Sequence, residues 1–284
     1  MQRPALNTHA LATRTEMTQA HFEHRPRKRF GQHFLHDRSV IAQIVTAIDV
    51  RAGDRVVEIG PGKGALTRAL LAVTDTMHAI ELDRDLVAHL TREFDTTRLL
   101  VHQGDALAFD VATLVEPGTR LRVVGNLPYN ISTPLMFHLL QSRELITDMH
   151  FMLQLEVVNR LAAAPNEGDY GRLSVMAQLQ CRVEPLLRVA AGAFTPPPKV
   201  ESAIVRLTPR TELPLPAQHM RAFTQLVAAA FSQRRKTLRN ALKELMSSSQ
   251  IENAEIDPGR RPGTLSVDDY IALCLVYQRD ANAL

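Results

Sequence analysis

The sequence predicts an α/β protein, an open sheet with helices between its strands, followed by a small helical domain. Three observations carry this expectation. Short apolar runs at 55–59, 77–82, 99–103 and 121–124 alternate with stretches at helical spacing, as successive strand and helix units do. The first run leads straight into a glycine-rich turn, Gly60-Pro61-Gly62-Lys63-Gly64, that opens a helix near Ala65. Beyond Thr208, the residues Pro209, Pro214 and Pro216 mark a boundary after which only helical periodicity continues. The expected division is a disordered extension over 1–24, an α/β domain over 25–208 and a helical domain over 209–284.

A chain of 284 residues has room for one large domain with a small partner, and 45% hydrophobic with 22% charged residues is ordinary for a globular protein. The net charge is only +3, yet the isoelectric point is about 9.1 and the basic residues are clustered. Arg25, Arg27, Lys28 and Arg29 crowd one segment; Arg234, Arg235, Lys236 and Arg239 crowd another. Such runs mark polyanion binding or, more plainly, a solvated surface. Cys181 and Cys274 sit in apolar patterns without paired or metal-ligand spacing, so both are expected as buried thiols in a reducing compartment. His21 with His24, and His33 with His36, lack the acidic or cysteine partners of a zinc set, so no metal is expected. No apolar run reaches membrane-spanning length and the first residues lack a signal-peptide core, which together point to a cytoplasmic protein without membrane attachment.

Taken in order, residues 2–24 show no periodicity. The segment RPRKRFGQHFL, at 25–35, joins a basic run to Gln32, His33, Phe34 and Leu35, and a helical period follows at 37–48. In the glycine turn the missing Cβ atoms let backbone approach a ligand, and the helix amino terminus offers free N–H groups. That loop suits a dinucleotide, a methyl donor or a tight turn with no ligand. Glu81 ends the next strand about twenty residues on, where an acid can accept hydrogen bonds from both ribose hydroxyls; the plainer reading is a solvated carboxylate. Asp105 follows the third strand, either taking the amine of an adenine ring or capping a helix from Ala106 onward. The fourth strand ends in Asn126. Four strands thus deliver polar candidates to one sheet edge, the edge at which open α/β sheets bind ligands.

Further on, helices are expected at 135–140, 156–163 and 173–183, and strands at 149–154, 186–190 and 203–207. Between the last two strands Phe194-Thr195-Pro196-Pro197-Pro198-Lys199-Val200 cannot join a central strand; it is a linker or a rigid mount for Phe194 as an aromatic wall. An amphipathic helical pattern over 223–245 carries the second basic cluster, and Ser266 is expected to cap a final helix.

The loop Asn126-Leu127-Pro128-Tyr129 combines an amide acceptor, a proline that fixes nearby carbonyls and a flat ring. Together these suit the exocyclic amine of a nucleobase held out of its stack, although an ordinary proline turn has the same local look. Such an amine is a poor nucleophile because its lone pair is delocalised into the ring. Two acceptors on its hydrogens favour a pyramidal nitrogen and free the lone pair for attack on an electrophilic methyl group.

The segments RKRFGQHFL, VVEIGPGKGALT, IELD, GDAL, NLPYNISTP, FTPPPKVESAIVRL, FSQRRKTLRNAL and LSVDDYIAL stand in the order found in the ribosomal RNA adenine dimethyltransferases. Over 28–273 the chain resembles the members that act on small-subunit RNA. The resemblance implies a class I, Rossmann-like methyltransferase domain with a small α-helical carboxy-terminal domain that binds RNA. It implies S-adenosylmethionine as methyl donor, two adjacent adenosines near the 3′ end of 16S rRNA in the 30S subunit as substrate, a part in ribosome biogenesis and a monomeric enzyme. Position by position, it implies that Gln32, His33 and Leu35 close over the donor and that Gly60 and Gly62 form its loop. Glu81 then holds the ribose, Asp105 with Ala106 the adenine, and Asn126 borders the donor as well. Asn126, Leu127, Pro128 and Tyr129 match the catalytic segment and Phe194 a position near the target base; the basic cluster Arg234, Arg235, Lys236 and Arg239 favours RNA contact by its charge, or is a solvated helix face. His33 departs from the asparagine of many relatives. The rivals are a 23S rRNA methyltransferase, which usually has isoleucine at the position of Leu127, and an assembly factor for the small subunit whose catalysis is secondary.

Overall fold

The computed structural model describes residues 32–281, so the expected extension over 1–24 and the basic residues Arg25, Arg27, Lys28 and Arg29 lie outside the described residues. The strands are β1 (Phe34–Leu35), β2 (Arg55–Ile59), β3 (Met77–Glu81), β4 (Leu99–Gln103), β5 (Leu121–Asn126), β6 (Ile146–Gln154), β7 (Cys181–Val189), β8 (Phe194–Thr195) and β9 (Ser202–Pro209). The helices are α1 (Arg38–Ile48), α2 (Ala65–Leu71), α3 (Arg84–Glu93), α4 (Ser132–Leu139), α5 (Leu155–Ala162), α6 (Arg172–Gln180), α7 (Met220–Ser232), α8 (Leu238–Ala241), α9 (Ser248–Glu252) and α10 (Val267–Ala281).

Seven strands form one sheet in the order β4-β3-β2-β5-β6-β9-β7, and β1 pairs with β8 in a separate ribbon. The strands β2 to β6 run parallel, whereas β9 is antiparallel to β6 and β7 antiparallel to β9. Strand order reverses between β2 and β5, which opens a crevice at their carboxyl ends. Gly125 makes that junction tight: a Cβ there would stand 2.7 Å from the Ile59 carbonyl oxygen. Only glycine lets β5 lie so close to β2.

Alternation along each strand divides the burial. Val57 and Ile59 join a core with Leu135, Leu139 and Phe151 on one side, while Val56 joins a second with Ile44, Ile48 and Leu70 on the other. A third core gathers Tyr170, Val175 and Leu179 around the carboxy-terminal Phe223, Leu226, Leu242 and Tyr270. Its two buried phenols are satisfied, Tyr170 donating to the Leu265 carbonyl and Tyr270 to that of Pro262.

Caps follow the sequence closely. Asp37 accepts from the N–H groups of Ser39 and Val40 at the start of α1, and Ser266 with Asp269 exchange reciprocal bonds at the start of α10. Three expectations change. The helical stretch expected over 173–183 stops at Gln180, because Cys181 already begins β7 at the sheet edge, where Pro185 is tolerated beside a register shift. The pattern expected over 223–245 breaks after Ser232; turns at 233–236 separate α7 from the short α8. No helix starts at Ala106, where a single turn closed by Ala108 N–H on the Asp105 carbonyl is followed by a 3₁₀ turn capped by Asp110.

Candidate active site

The crevice at the switch point holds a cleft of about 290 Å³. Its floor is the glycine turn after β2. Gly60 and Gly62 have φ values of +67° and +59°, which an L side chain rarely adopts, and a Cβ on Gly62 would lie 3.0 Å from the Phe34 ring. The turn therefore leaves its backbone open toward the cleft while Phe34 packs on it. Lys63 adds a cation 5.1 Å above that same ring.

Glu81, at the end of β3, is buried. Its Oε2 accepts from the Gly62 N–H at 3.2 Å and its Oε1 from the Asp83 N–H at 2.9 Å. Each oxygen keeps a lone pair for a hydroxyl donor. Burial raises its pKa above the usual carboxylate range, and the N–H bonds of Asp83, Gly62 and Leu82 oppose that rise. Asp105 also lines the cleft; one carboxylate oxygen accepts from the Leu107 N–H at 2.9 Å, fixing the side chain on its own turn. Ala106, Leu82 and Ile80 provide apolar surface beside it.

The roof is β1 and the residues before it. The ribbon pairs Phe34 with Thr195 and Leu35 with Phe194, anchoring Gln32, His33 and Leu35 over the cleft. Asn126 closes the gap between roof and floor: its Nδ2 donates to the His33 carbonyl at 2.8 Å. A carbonyl can only accept, so the amide orientation is fixed and Oδ1 is its acceptor for anything bound in the cleft. The His33 ring lies 5.9 Å from that of Tyr129 at 26°, and its Nδ1 donates to the Pro196 carbonyl at 2.8 Å.

The family model described as ribosomal RNA adenine dimethylase matches residues 23–279. The chain belongs to that family. Among relatives of the dimethylase family, ribosomal RNA small subunit methyltransferase A of Pseudomonas aeruginosa is 58% identical over 253 residues, covering 89% of this chain and 94% of the relative. The protein of the same name from Alcanivorax borkumensis is 52% identical over 266 residues, with 92% and 95% covered. Two solved structures share the fold at 26% identity. One is a dimethyladenosine transferase from Plasmodium falciparum, with a TM-score of 0.72 over 88% of this chain and 98% of that one. The other is the 23S rRNA methyltransferase ErmE, with a TM-score of 0.67 over 86% and 99%.

Dimethylases of this family use S-adenosylmethionine, and the cleft fits it: a twice-anchored carboxylate for the ribose, an acidic turn beside an apolar slot for the adenine, and an open glycine backbone. Among the described residues no group of three or more His, Cys, Asp or Glu side chains is arranged to hold a metal. Also among them, no helix is long and apolar enough to cross a membrane.

The cleft brings together Gln32, His33, Leu35, Gly60, Gly62, Glu81, Asp105, Ala106, Asn126, Leu127, Pro128 and Tyr129. Phe194 does not line it. Its ring is 2% exposed and packs in the core with Leu35 and Val189, because β8 turns it inward to hold the roof strand. Arg234, Arg235, Lys236 and Arg239 are exposed on the carboxy-terminal region, outside the cleft, and Arg234 is tied to the Gly168 carbonyl at 2.8 Å.

Glu58 also lines the cleft, and the sequence pattern did not single it out. Glu58 is 2% exposed and accepts a 2.6 Å bond from the Thr67 hydroxyl. Burial pushes its pKa up to about 7, against the Thr67 bond and with help from the nearby Glu81 charge. A carboxylate inside the apolar run Val56-Val57-Glu58-Ile59 was the available signal, since a buried charge demands a partner.

Proposed function

We propose that this protein transfers methyl groups from S-adenosylmethionine to N6 of two adjacent adenosines near the 3′ end of 16S rRNA in the 30S subunit, in the cytoplasm, as a step of ribosome biogenesis. Dimethyladenosine forms at both positions. The observation that carries the reading is the bond from Asn126 to His33, which turns the amide oxygen into a fixed acceptor at the meeting of cleft, roof and catalytic turn.

In this reading Asn126 Oδ1 and a backbone carbonyl hold the two hydrogens of the target amine. The second acceptor is a carbonyl of Leu127 or Pro128; that of Pro128 also accepts from the Ile131 N–H at 3.1 Å, which fixes its direction and leaves its second lone pair. Tyr129 stacks on the adenine and aligns its nitrogen with the cleft. Glu81, Asp105 and the glycine turn hold the donor, whose sulfonium supplies an electrophilic methyl group. No strong base is required, because the amine loses its proton after it becomes a cation. Catalysis then rests on position and on fixed acceptors. The helical region over 209–284 presents Arg235, Lys236 and Arg239 to the RNA.

The decisive assay supplies labelled donor, in parallel, to 30S subunits lacking these modifications and to unmodified 50S subunits, and maps the products. Label at two adjacent adenosines near the 3′ end of 16S rRNA is the expected result. Label confined to large-subunit RNA, or none on either subunit, would overturn the reading.

A further inference from the structure

We infer that Ser202 is a positioning residue for methyl transfer, acting by holding the hydroxyl end of Tyr129. This deepens the proposed function and rests on its assignment of Tyr129 to the target base. Ser202 is the first residue of β9, 1% exposed, paired with Gln154 of β6 and Val189 of β7. Its Oγ lies 3.0 Å from the Tyr129 phenolic oxygen, a contact between positions 73 residues apart.

The bond joins unlike surroundings. Tyr129 is half-buried on a loop at the cleft, whereas Ser202 is locked between two antiparallel partners in the sheet. A tyrosine on a turn has two free side-chain torsions, and fixing its far oxygen removes most of the freedom of both. Among the described residues the ring stacks on the His33 imidazole, itself held by the Pro196 carbonyl. Ser202 thus anchors the rim of the ring while His33 meets its face. A stacking surface set this way presents the purine in one orientation, and a small error in that orientation falls on the rate of transfer. Donor contacts at Glu81, on β3, and at Asp105, on the turn after β4, are untouched.

The test uses the full chain with unmethylated 30S subunits, comparing Ser202→Ala, Tyr129→Phe, the double variant and Ser202→Thr. Each of the first two should lower kcat by about fivefold to tenfold, the worth of one buried hydrogen bond, with donor affinity and melting temperature near wild type. The double variant should lose no more than either single one, and Ser202→Thr should restore most of the rate. Wild-type kcat in Ser202→Ala, or losses that multiply in the double variant, would overturn the inference. A fall in donor affinity equal to the fall in rate would reduce Ser202 to a packing role and overturn it too. Should Ser202→Ala fail to fold, wild-type kcat in Tyr129→Phe overturns it alone. Failure of the underlying reading looks different: wild-type protein that binds donor and methylates no subunit.

Discussion

The side-chain amide of Asn126 donates to the main-chain carbonyl of His33, 2.8 Å away and 93 residues earlier in the chain. One bond therefore couples the roof of the donor cleft to the group assigned to the target amine. It gives Asn126 two separable jobs.

Asn126→Ala removes the acceptor and the tie together. Turnover on unmethylated 30S subunits is expected to fall by about a hundredfold or more, the usual effect of deleting one preorganised transition-state contact. Donor binding, which the proposed function assigns mainly to Glu81, Asp105 and the glycine turn, is expected to weaken by only a few-fold. Calorimetric titration of donor beside single-turnover methylation separates the two, and unchanged turnover would reject the role.

Glu81 and Glu58 should make the cleft respond to pH in linked ways. Glu81→Gln sets an amide NH₂ against the N–H of Gly62 or Asp83, so donor affinity is expected to fall by about 2 kcal/mol, roughly thirtyfold. In the wild type, donor affinity should decline on acidification from a higher pH than an ordinary carboxylate would give, because burial raises the Glu81 pKa. Glu58 has its folded pKa raised from 4.5 to about 7, so the folded state holds the proton more tightly and stability is lost as pH rises through about 7. Glu58→Gln should accordingly raise the melting temperature at pH 8 and change it little at pH 5, by at most about 3 kcal/mol in free energy. Equal effects at both pH values would count against the buried-acid assignment.

What the sequence made legible was local. The edge positions of Gly60, Gly62, Glu81 and Asn126 follow from apolar runs that stop at a glycine or a polar residue, and parallel pairing then brings them together. Ser266 was legible as a cap for the same reason, whereas Asp37, read as the first residue of a helical period, proves to be the cap before it. Pairings across long separations were not legible. Nothing near Phe34 signals its ladder to Thr195, and Phe194 reads as an exposed aromatic until that ladder turns it into the core. The amide of Asn126 looks the same whichever end faces a ligand; only the His33 carbonyl decides it. Arg122 interrupts an apolar strand as Glu58 does, and in both cases the partner lies elsewhere in the chain.

The basic cluster should divide by role. The charges of Arg235 and Lys236 are exposed, whereas Arg234 also bridges to the Glu167 and Gly168 carbonyls. Replacing Arg235 and Lys236 by alanine is expected to weaken RNA binding and flatten its salt dependence by about 0.7 to 0.9 per charge, with the melting temperature unchanged. Arg234→Ala should add a stability loss of about 1 kcal/mol, because two carbonyls lose their donor. Binding isotherms at several salt concentrations check the first effect and thermal melts the second. An unaltered salt slope would leave the cluster as solvated surface.

Arg122 should carry more of the fold's stability than any of those surface charges. Its Nε and Nη2 donate to the two Asp148 oxygens at 3.0 and 2.8 Å, Nη1 reaches Asp54 at 2.8 Å, and the Ile48 and Asp49 carbonyls accept at 2.7 Å. One guanidinium thus ties the starts of β5 and β6 to the end of α1. Burial alone would raise the Asp148 carboxyl, but His150 and Arg122 hold it down at about 2. Its contribution is therefore present above the ordinary value of 3.8 and is lost as pH falls through about 2. Arg122→Ala leaves that carboxylate without its cation and is expected to cost about 3 to 5 kcal/mol. The Asp148 pKa should rise in the variant, moving acid unfolding to higher pH. Urea titrations between pH 3 and pH 7 measure both effects, and a variant within about 1 kcal/mol of wild type across that range would show that the network is replaceable.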